Sequence, residues 1–340
     1  MAVAAKKSKS TNRASRIREP FPLSALAGLG AVIATGILWG TIGVVTGQLK
    51  AAFPNADGTG SALSSLVLVA IRLGITAPAA AITARLLLGN GAFRLGRRAI
   101  ALGLGLGLVQ AFFQYAYVEA VTNAGVGIAT AIELCLAPVF VAAVSVVLLR
   151  ERPDRFVVGA IAFAAAGTLV LALNGTSPKF AATFDVGIAW SLACMVGYAS
   201  YIVLVRRLAT GIHPLELVAL ASAGGFTVLA LPASQIGLPS LTGVNIIVPA
   251  VQFSYLALIA TCLAYALFVS GVRATSATTG SLGALAMPPT ATVLAAIVLG
   301  QVPTLEVLAG QLLLMIAMAD RKSTRLNSSH IPLSRMPSSA

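Results

Sequence analysis

Two stretches of this sequence repeat each other 150 positions apart, and this repeat constrains the fold more than any other feature. Residues 113–153 match residues 263–303 without a gap. Alanine and leucine matches mean little in so apolar a chain, but a Tyr-Ala pair and two prolines in register are informative. The chain is therefore predicted to contain two copies of one unit. The matched pairs are Tyr115-Ala116 with Tyr265-Ala266, Ala124 with Ala274, Pro138 with Pro288, Leu149 with Leu299 and Pro153 with Pro303.

Long apolar runs identify the environment of both copies. Hydrophobic residues make up 58% of the chain and charged residues only 10%, which lies outside the range of soluble domains. About 20 apolar residues are needed to cross the hydrocarbon layer as a helix, and the runs lack the alternation of a membrane barrel. The sequence therefore predicts an all-α integral membrane protein. Its ten candidate spans are 25–48, 62–84, 99–120, 124–149, 156–173, 186–205, 214–236, 247–270, 275–299 and 304–319.

The placement of basic residues predicts the orientation of the spans. The net charge is +13, and basic residues cluster before the first span and after the second, fourth, sixth, eighth and tenth. The alternate loops hold only Lys50 and Lys179. This is the positive-inside pattern, so both termini are expected in the cytoplasm and the protein in the plasma (inner) membrane, as a multi-pass protein. The same pattern explains the excess of basic residues without any binding of nucleic acid, and these residues are expected to contact anionic membrane lipid.

Five spans per copy is an odd number, so the second copy is expected to enter the membrane from the opposite side. Two five-helix inverted repeats around a central cavity are typical of secondary transporters. The predicted divisions are a basic cytoplasmic tail over 1–23, repeats over 24–174 and 184–319, and a disordered tail over 321–340. That last segment is polar and serine-rich, and it resembles a vector- or adapter-derived peptide, so we expect it not to be native.

Two charges fall deep inside predicted spans. Arg72 lies near the centre of the second span, and Glu133 lies about nine residues into the fourth. An isolated charge in hydrocarbon is costly, so each is expected to face the bundle interior or water. A structural ion pair between them is one interpretation. The other is a site for substrate or protons, with Glu133 as the coupling carboxylate because a low-dielectric cavity favours its protonated form.

Polar and aromatic residues also recur at helical spacing on three spans. A polar stripe in lipid must find partners, so all three stripes are predicted to point inward. Single residues of such stripes can be mere contacts between helices, but three together favour a wet cavity that binds substrate. The stripes are Thr35, Trp39 and Thr46; Gln110, Gln114 and Tyr117; and Ser191, Cys194, Tyr198 and Tyr201.

The glycines, prolines and cysteines have structural interpretations too. Gly103 and Gly107 form a face suited to close helix contact, and Gly30 and Gly36 are expected to serve packing. Pro138 and the Pro288-Pro289 pair lie near the middle of their spans, where they predict either static kinks or hinges around the cavity. The three cysteines all fall inside spans, so neither a disulfide framework nor a metal site is expected.

These residues resemble a known family. Trp39-Gly40, the arginine of the second span and the segment LAPVFVAAVSVVLLRERP over 136–153 are similar to the EamA-type domain of the drug/metabolite transporter superfamily, present here as two copies. The second copy departs from the family pattern, because Gln301 stands where the first copy has the acidic Glu151. The resemblance implies ten helices around a cavity and export of small metabolites such as amino acids. It implies no particular substrate.

The leading hypothesis is thus a secondary active transporter, driven by an ion gradient with protons as the candidate ion, because the chain has no Walker sequence. The alternative is an integral-membrane enzyme or carrier acting on lipid or lipid-linked sugar, although no nucleophile and base pair at enzyme-like spacing supports it. No cofactor or obligate protein partner is predicted. The predicted substrate contacts are Trp39, Arg72, Gln110, Gln114, Tyr117, Tyr198, Tyr201 and Tyr265, with Glu133 for coupling and Pro138 and Pro288 as hinges.

Overall fold

Helices form almost all of the regular structure in the described part of the chain. The structure is a computed structural model that describes residues 24–55, 61–133, 136–137, 140, 166, 181–208, 211–274, 286–305, 308–309 and 311–312. Within these residues the only β feature is an isolated bridge between Pro54 and Ser61. The all-helical prediction is confirmed for this part of the chain.

Six of the described helices are long and apolar enough to cross a membrane. Leucines and isoleucines on the outer faces of these helices are exposed, as side chains that contact lipid would be. Two shorter helices, α4 and α8, are described as well. In chain order the helices are α1 (Ala25–Ala51), α2 (Ser65–Leu88), α3 (Arg97–Ala124), α4 (126–133), α5 (Phe184–Leu208), α6 (Pro214–Ile236), α7 (Ile247–Ser254, continuing through Tyr255–Leu263 to Ala264–Ala274) and α8 (Met287–Leu299).

The helix bounds follow the 150-residue register of the sequence repeat. Helix α3 begins at Arg97 and α7 begins at Ile247, so their first residues are 150 positions apart. The second predicted spans of the two copies appear as α2 and α6 in nearly the same register. The tails 1–23 and 321–340 lie outside the described residues, as do nearly all of the predicted span 156–173 and more than half of 304–319.

The two halves of the chain interleave instead of packing as separate bundles. Helix α1 packs mainly against α7 and α8, which come from the other half of the chain. Helix α3 likewise packs against α5 and α6, and α2 packs against α6. Among the described helices, the core is thus built chiefly from contacts between the copies.

Side chains from distant segments complete several helix ends. Helix α4 follows Gly125, whose φ of 86° interrupts the helical backbone between α3 and α4. The first N–H groups of a helix have no partner within it. Here the N–H of Val126 donates to the side-chain carbonyl of Gln301 at 3.2 Å. The residue that departs from the acidic pattern therefore caps a helix of the other half.

The crossing of α3 and α6 depends on glycine. A methyl group at Gly107 would lie 2.2 Å from the carbonyl oxygen of Ala221, and one at Gly224 would lie 2.1 Å from that of Leu104. Both approaches are far below van der Waals contact, so only glycine permits the observed distance between the helices. The predicted packing role of Gly107 is confirmed. The same role for Gly30 is wrong for the described part of the chain, none of whose atoms lies within 4 Å of the position its side chain would take.

Replacing Gly107 with alanine is expected to destabilise the protein by about 1–3 kcal/mol, since the added methyl group must push two backbones apart. Gly105 is the matched control on the same helix, because its added methyl group would meet nothing within 4 Å. Gly105→Ala should be neutral or stabilising by up to about 1 kcal/mol, through helix propensity alone. Thermal unfolding of both purified variants in the same detergent measures the difference. Equal melting temperatures would contradict the close-packing assignment.

Candidate functional site

A cavity of about 30 Å³ lies where the two halves of the chain meet. Helix α3 supplies three residues of its wall, α1 supplies two, and α2, α4, α5, α7 and α8 supply one each. This volume holds about one water molecule, so a solute of metabolite size needs a conformation in which the helices stand further apart. The lining residues are Trp39, Ile42, Arg72, Phe113, Gln114, Tyr117, Glu133, Tyr198, Tyr265 and Met287.

Both deeply placed charges line this cavity. Arg72 is 2% exposed and Glu133 is 5% exposed. The Nε–H of Arg72 donates to the hydroxyl oxygen of Thr261 at 2.7 Å. Oε2 of Glu133 has no hydrogen-bond partner among the described residues. The two side chains thus face one cavity with opposite charges, and the described contacts do not join them in a direct ion pair.

Aromatic rings form much of the remaining wall. The indole ring of Trp39 lies 5.1 Å from the ring of Tyr265 and 6.0 Å from that of Tyr198, measured between centroids. Behind these, Tyr201 contacts Tyr265 at 5.8 Å and Phe113 at 5.4 Å. Tilted and edge-to-face contacts of this kind hold large rings in fixed positions. Between its polar groups, the wall of the cavity is therefore mainly aromatic.

The cavity holds a set of buried polar atoms that lack partners among the described residues. The donors are the Trp39 Nε1–H, the Gln114 amide nitrogen and the Tyr117 hydroxyl. The acceptors are the Gln114 amide oxygen and Oε2 of Glu133. Buried polar groups in native proteins are nearly always hydrogen-bonded, so a cluster of unpaired ones calls for an explanation. A bound solute or water that both donates and accepts would satisfy them.

Most of the predicted contact residues come together at this cavity, and the predicted inward burial of all three stripes is confirmed. Gln110 and Tyr201 are also buried, but they are not among the lining residues. Pro288 lies in the first turn of α8, where a missing N–H costs little, and Pro138 lies outside the described residues. Within the described chain, His, Cys, Asp and Glu do not gather into a metal-binding cluster.

Sequence reasoning missed four residues of the site. Ile42, Phe113 and Met287 line the cavity, and Thr261 holds Arg72. The first three are apolar residues in apolar helices, so nothing in the sequence distinguishes them from lipid-facing neighbours. Thr261 carried a weak signal, because it is a polar residue in the eighth predicted span.

Comparison with known families decides the class of the protein. The family model described as "EamA-like transporter family" matches residues 26–173 and again residues 185–319. The chain belongs to the EamA-like transporter family. The two matched regions are consistent with two copies of the domain, as the sequence repeat predicted. Members of this family are membrane transporters rather than enzymes, and the six apolar helices agree with a multi-pass membrane protein.

A search of curated proteins gives no match to this EamA-like chain. Solved structures do match, and 25 of their chains are similar. One, described as "Crystal structure of protein", has a TM-score of 0.63 and is 21% identical, covering 90% of this chain and 99% of its own. At that identity the likeness concerns the fold alone. It supports the helical architecture described above over nearly the full length of both chains.

Proposed function

We propose that this chain is a secondary active transporter that moves small amphipathic metabolites, such as amino acids or related compounds, through the central cavity and out of the cell. The observation that carries the proposal is the cluster of unpartnered polar atoms beside Arg72 and Glu133. Leaving a buried polar group unpaired costs about 1–3 kcal/mol. A solute with both donors and acceptors would recover that cost on binding, and the aromatic wall would accept its apolar part.

Glu133 is the proposed site of ion coupling. Among the described residues it is the only carboxylate that lines the cavity, and none of them is a hydrogen-bond partner of its Oε2. Such a group can exchange a proton with a solute or water in the cavity, so substrate and proton can compete for the same space. A transporter whose substrate and proton exclude one another exchanges them across the membrane, which gives export driven by an inward proton gradient.

We further propose ten membrane helices in two inverted repeats with both termini in the cytoplasm. Contacts between loops of the same predicted side support this topology. The N–H of Phe93 donates to Glu216 at 2.6 Å, and both positions are predicted on the cytoplasmic side. The Val126 to Gln301 contact joins two positions predicted outside. Single cysteines at Arg97 and at Gln301, in a chain whose three native cysteines are replaced, should react with impermeant reagents from opposite faces. Reaction from one face would overturn the proposed topology.

Accumulation against a gradient tests the transport proposal itself. Inverted membrane vesicles containing the protein should accumulate at least one radiolabelled solute from a panel of amino acids, purines and cationic drugs when a proton gradient is imposed. A vesicle preparation without the protein is the control. An enzyme or a passive channel cannot produce accumulation. If the compounds only reach equal concentrations on the two sides of the membrane, the proposal is wrong for those compounds.

Binding can be followed inside the cavity without transport. The chain has two tryptophans, of which Trp39 lines the cavity and Trp190 contacts Tyr115 instead. The Trp190→Phe variant therefore reports on the cavity through one fluorophore. A transported solute should change the fluorescence of Trp39 in a saturable way. The Trp39→Phe variant is the control, and its emission should not change when the solute is added. Saturable transport with no change in Trp39 fluorescence would place the substrate elsewhere.

A further inference from the structure

The middle of α7 departs from the α-helical register at the level of the cavity. Residues Tyr255–Leu263 form a π-helix, in which each backbone bond spans five residues instead of four. Stretches of π-helix are rare and occur frequently at functional sites. This one carries Thr261 and contacts α2, the helix that carries Arg72.

The hydroxyl of Thr261 is oriented by the π register. It donates to the carbonyl oxygen of Leu256, five residues earlier, at 2.7 Å. The carbonyl four residues earlier belongs to Ala257, and the Thr76 hydroxyl on α2 shares its proton between that oxygen at 3.1 Å and the carbonyl oxygen of Arg72 at 2.8 Å. In a regular helix a threonine hydroxyl commonly bonds the carbonyl four residues back. Here the Thr261 hydroxyl follows the five-residue spacing of the π-helix instead.

A threonine hydroxyl has one proton and two lone pairs. Because the Thr261 proton is committed to Leu256, its oxygen can only accept from Arg72. The acceptor is thus fixed in position and in polarity, and the Nε edge of the guanidinium is directed towards it. Thr261 is fully buried, so water does not compete for this bond.

We propose that Thr261 is a positioning residue that turns the guanidinium of Arg72 so that its two terminal nitrogens bind an anionic group of the substrate. An arginine fork can bind a carboxylate through Nε and one terminal nitrogen, or end-on through both terminal nitrogens. With Nε held by Thr261, the end-on mode remains. This inference rests on the proposed function, since it assigns a carboxylate-bearing solute to the proposed cavity.

Three probes of one shape separate charge recognition from general packing. Benzoate, benzamide and benzylamine share a phenyl ring and differ in the charge of the attached group. Titration of each into the Trp190→Phe protein, with Trp39 as the reporter, should show binding of benzoate that depends on Arg72. Thr261→Val keeps the shape of the side chain and removes the hydroxyl. It should weaken benzoate binding about tenfold, the size of one charge-assisted hydrogen bond, and change the other two less than about twofold.

Two further variants control this experiment. Thr261→Ser retains the hydroxyl and should restore benzoate affinity to within about twofold of the parent protein. Thr227→Val makes the same substitution at an exposed position of α6, where the hydroxyl only bonds the carbonyl of Ala223, and should change nothing. Equal weakening of all three probes by Thr261→Val would assign Thr261 to packing of the fold and overturn the proposal. Unchanged benzoate affinity in Thr261→Val would also overturn it.

A signal that needs no solute separates failure of this inference from failure of the proposed function. In protein labelled with ¹⁵N-arginine, the Nε–H resonance of Arg72, identified by its loss in Arg72→Lys, should exchange slowly with solvent. It should persist in Thr261→Ser and shift or disappear in Thr261→Val. If none of the probes binds the parent protein while this signal behaves as described, the cavity site fails and the positioning contact stands. If Arg72-dependent benzoate binding is present and the signal ignores Thr261, the positioning role fails alone.

Discussion

Replacing Glu133 with glutamine is expected to abolish accumulation of substrate against a gradient while leaving exchange of substrate across the membrane intact. Glutamine keeps the shape and most of the hydrogen-bonding capacity of glutamate but cannot take up or release a proton. In vesicles the accumulation ratio should fall to about one, because transport without coupling only equilibrates. Counterflow of labelled against unlabelled substrate should continue, and its rate should no longer respond to pH.

Glu119→Gln is the matched control for this experiment. Glu119 lies near the end of α3, is partly buried, and accepts a hydrogen bond from Asn123 rather than lining the cavity. Its substitution should leave both accumulation and pH response unchanged. Undiminished accumulation by Glu133→Gln would remove Glu133 from the coupling role, and coupling lost equally in both variants would point to a general effect of lost charge.

Replacing Arg72 with methionine is expected to weaken binding of carboxylate-bearing solutes by about 10- to 100-fold, with much smaller effects on neutral ones. Methionine keeps much of the apolar length of the side chain and loses every N–H donor. The expected loss corresponds to a charge-assisted hydrogen-bonded contact worth about 1.5–3 kcal/mol. Fluorescence titration in the Trp190→Phe background measures it.

The double variant Arg72→Met with Glu133→Gln decides between function and structure. If the two charges only stabilise each other, each single change leaves one buried charge uncompensated and lowers protein abundance, and the double change restores both abundance and transport. If they bind substrate and protons, the double variant should reach normal abundance and still fail to accumulate substrate. Full transport by the double variant with an unchanged pH response would contradict both proposed roles.

The sequence predicted the site best where burial of a polar group is costly. Arg72 and Glu133 were identified because hydrocarbon leaves a charge few places to lie, and both line the cavity. Trp39, Gln114 and Tyr198 followed from stripes at helical spacing, and they line it too. The cost of exposing these groups to lipid does not depend on details of packing, so periodicity alone locates them.

The π-helical segment shows where such reasoning ends. Its sequence, YLALIATCL, is as apolar as a regular membrane helix and carries no proline or glycine that would announce a change of register. The Thr261 hydroxyl follows this register and bonds Arg72 of another helix, and a contact of this kind cannot be read from local sequence. The repeat gave no help either, because the position equivalent to Thr261 in the first copy is Ala111.

The two matched tyrosines show that repeated sequence does not mean repeated environment. Tyr265 lines the cavity, whereas Tyr115 is only partly buried and contacts Trp190 at 5.4 Å. The likeness of Gly30 to other helix glycines misled in the same way, since its position on α1 has no close neighbour in the described part of the chain. The neighbours of a residue depend on how helices pack, and the repeat pattern does not specify that packing.

The interleaving of the halves has a consequence for how the chain is made. Helix α1 is synthesised long before α7 and α8, against which it packs. Helix α4 is likewise synthesised long before Gln301, whose side chain caps it. Until then the first copy must sit in the bilayer with its inner faces covered by lipid or by the insertion machinery. Neither copy is a finished folding unit, so cutting the polypeptide between them should be tolerated when both pieces are synthesised together, and either piece alone should be degraded.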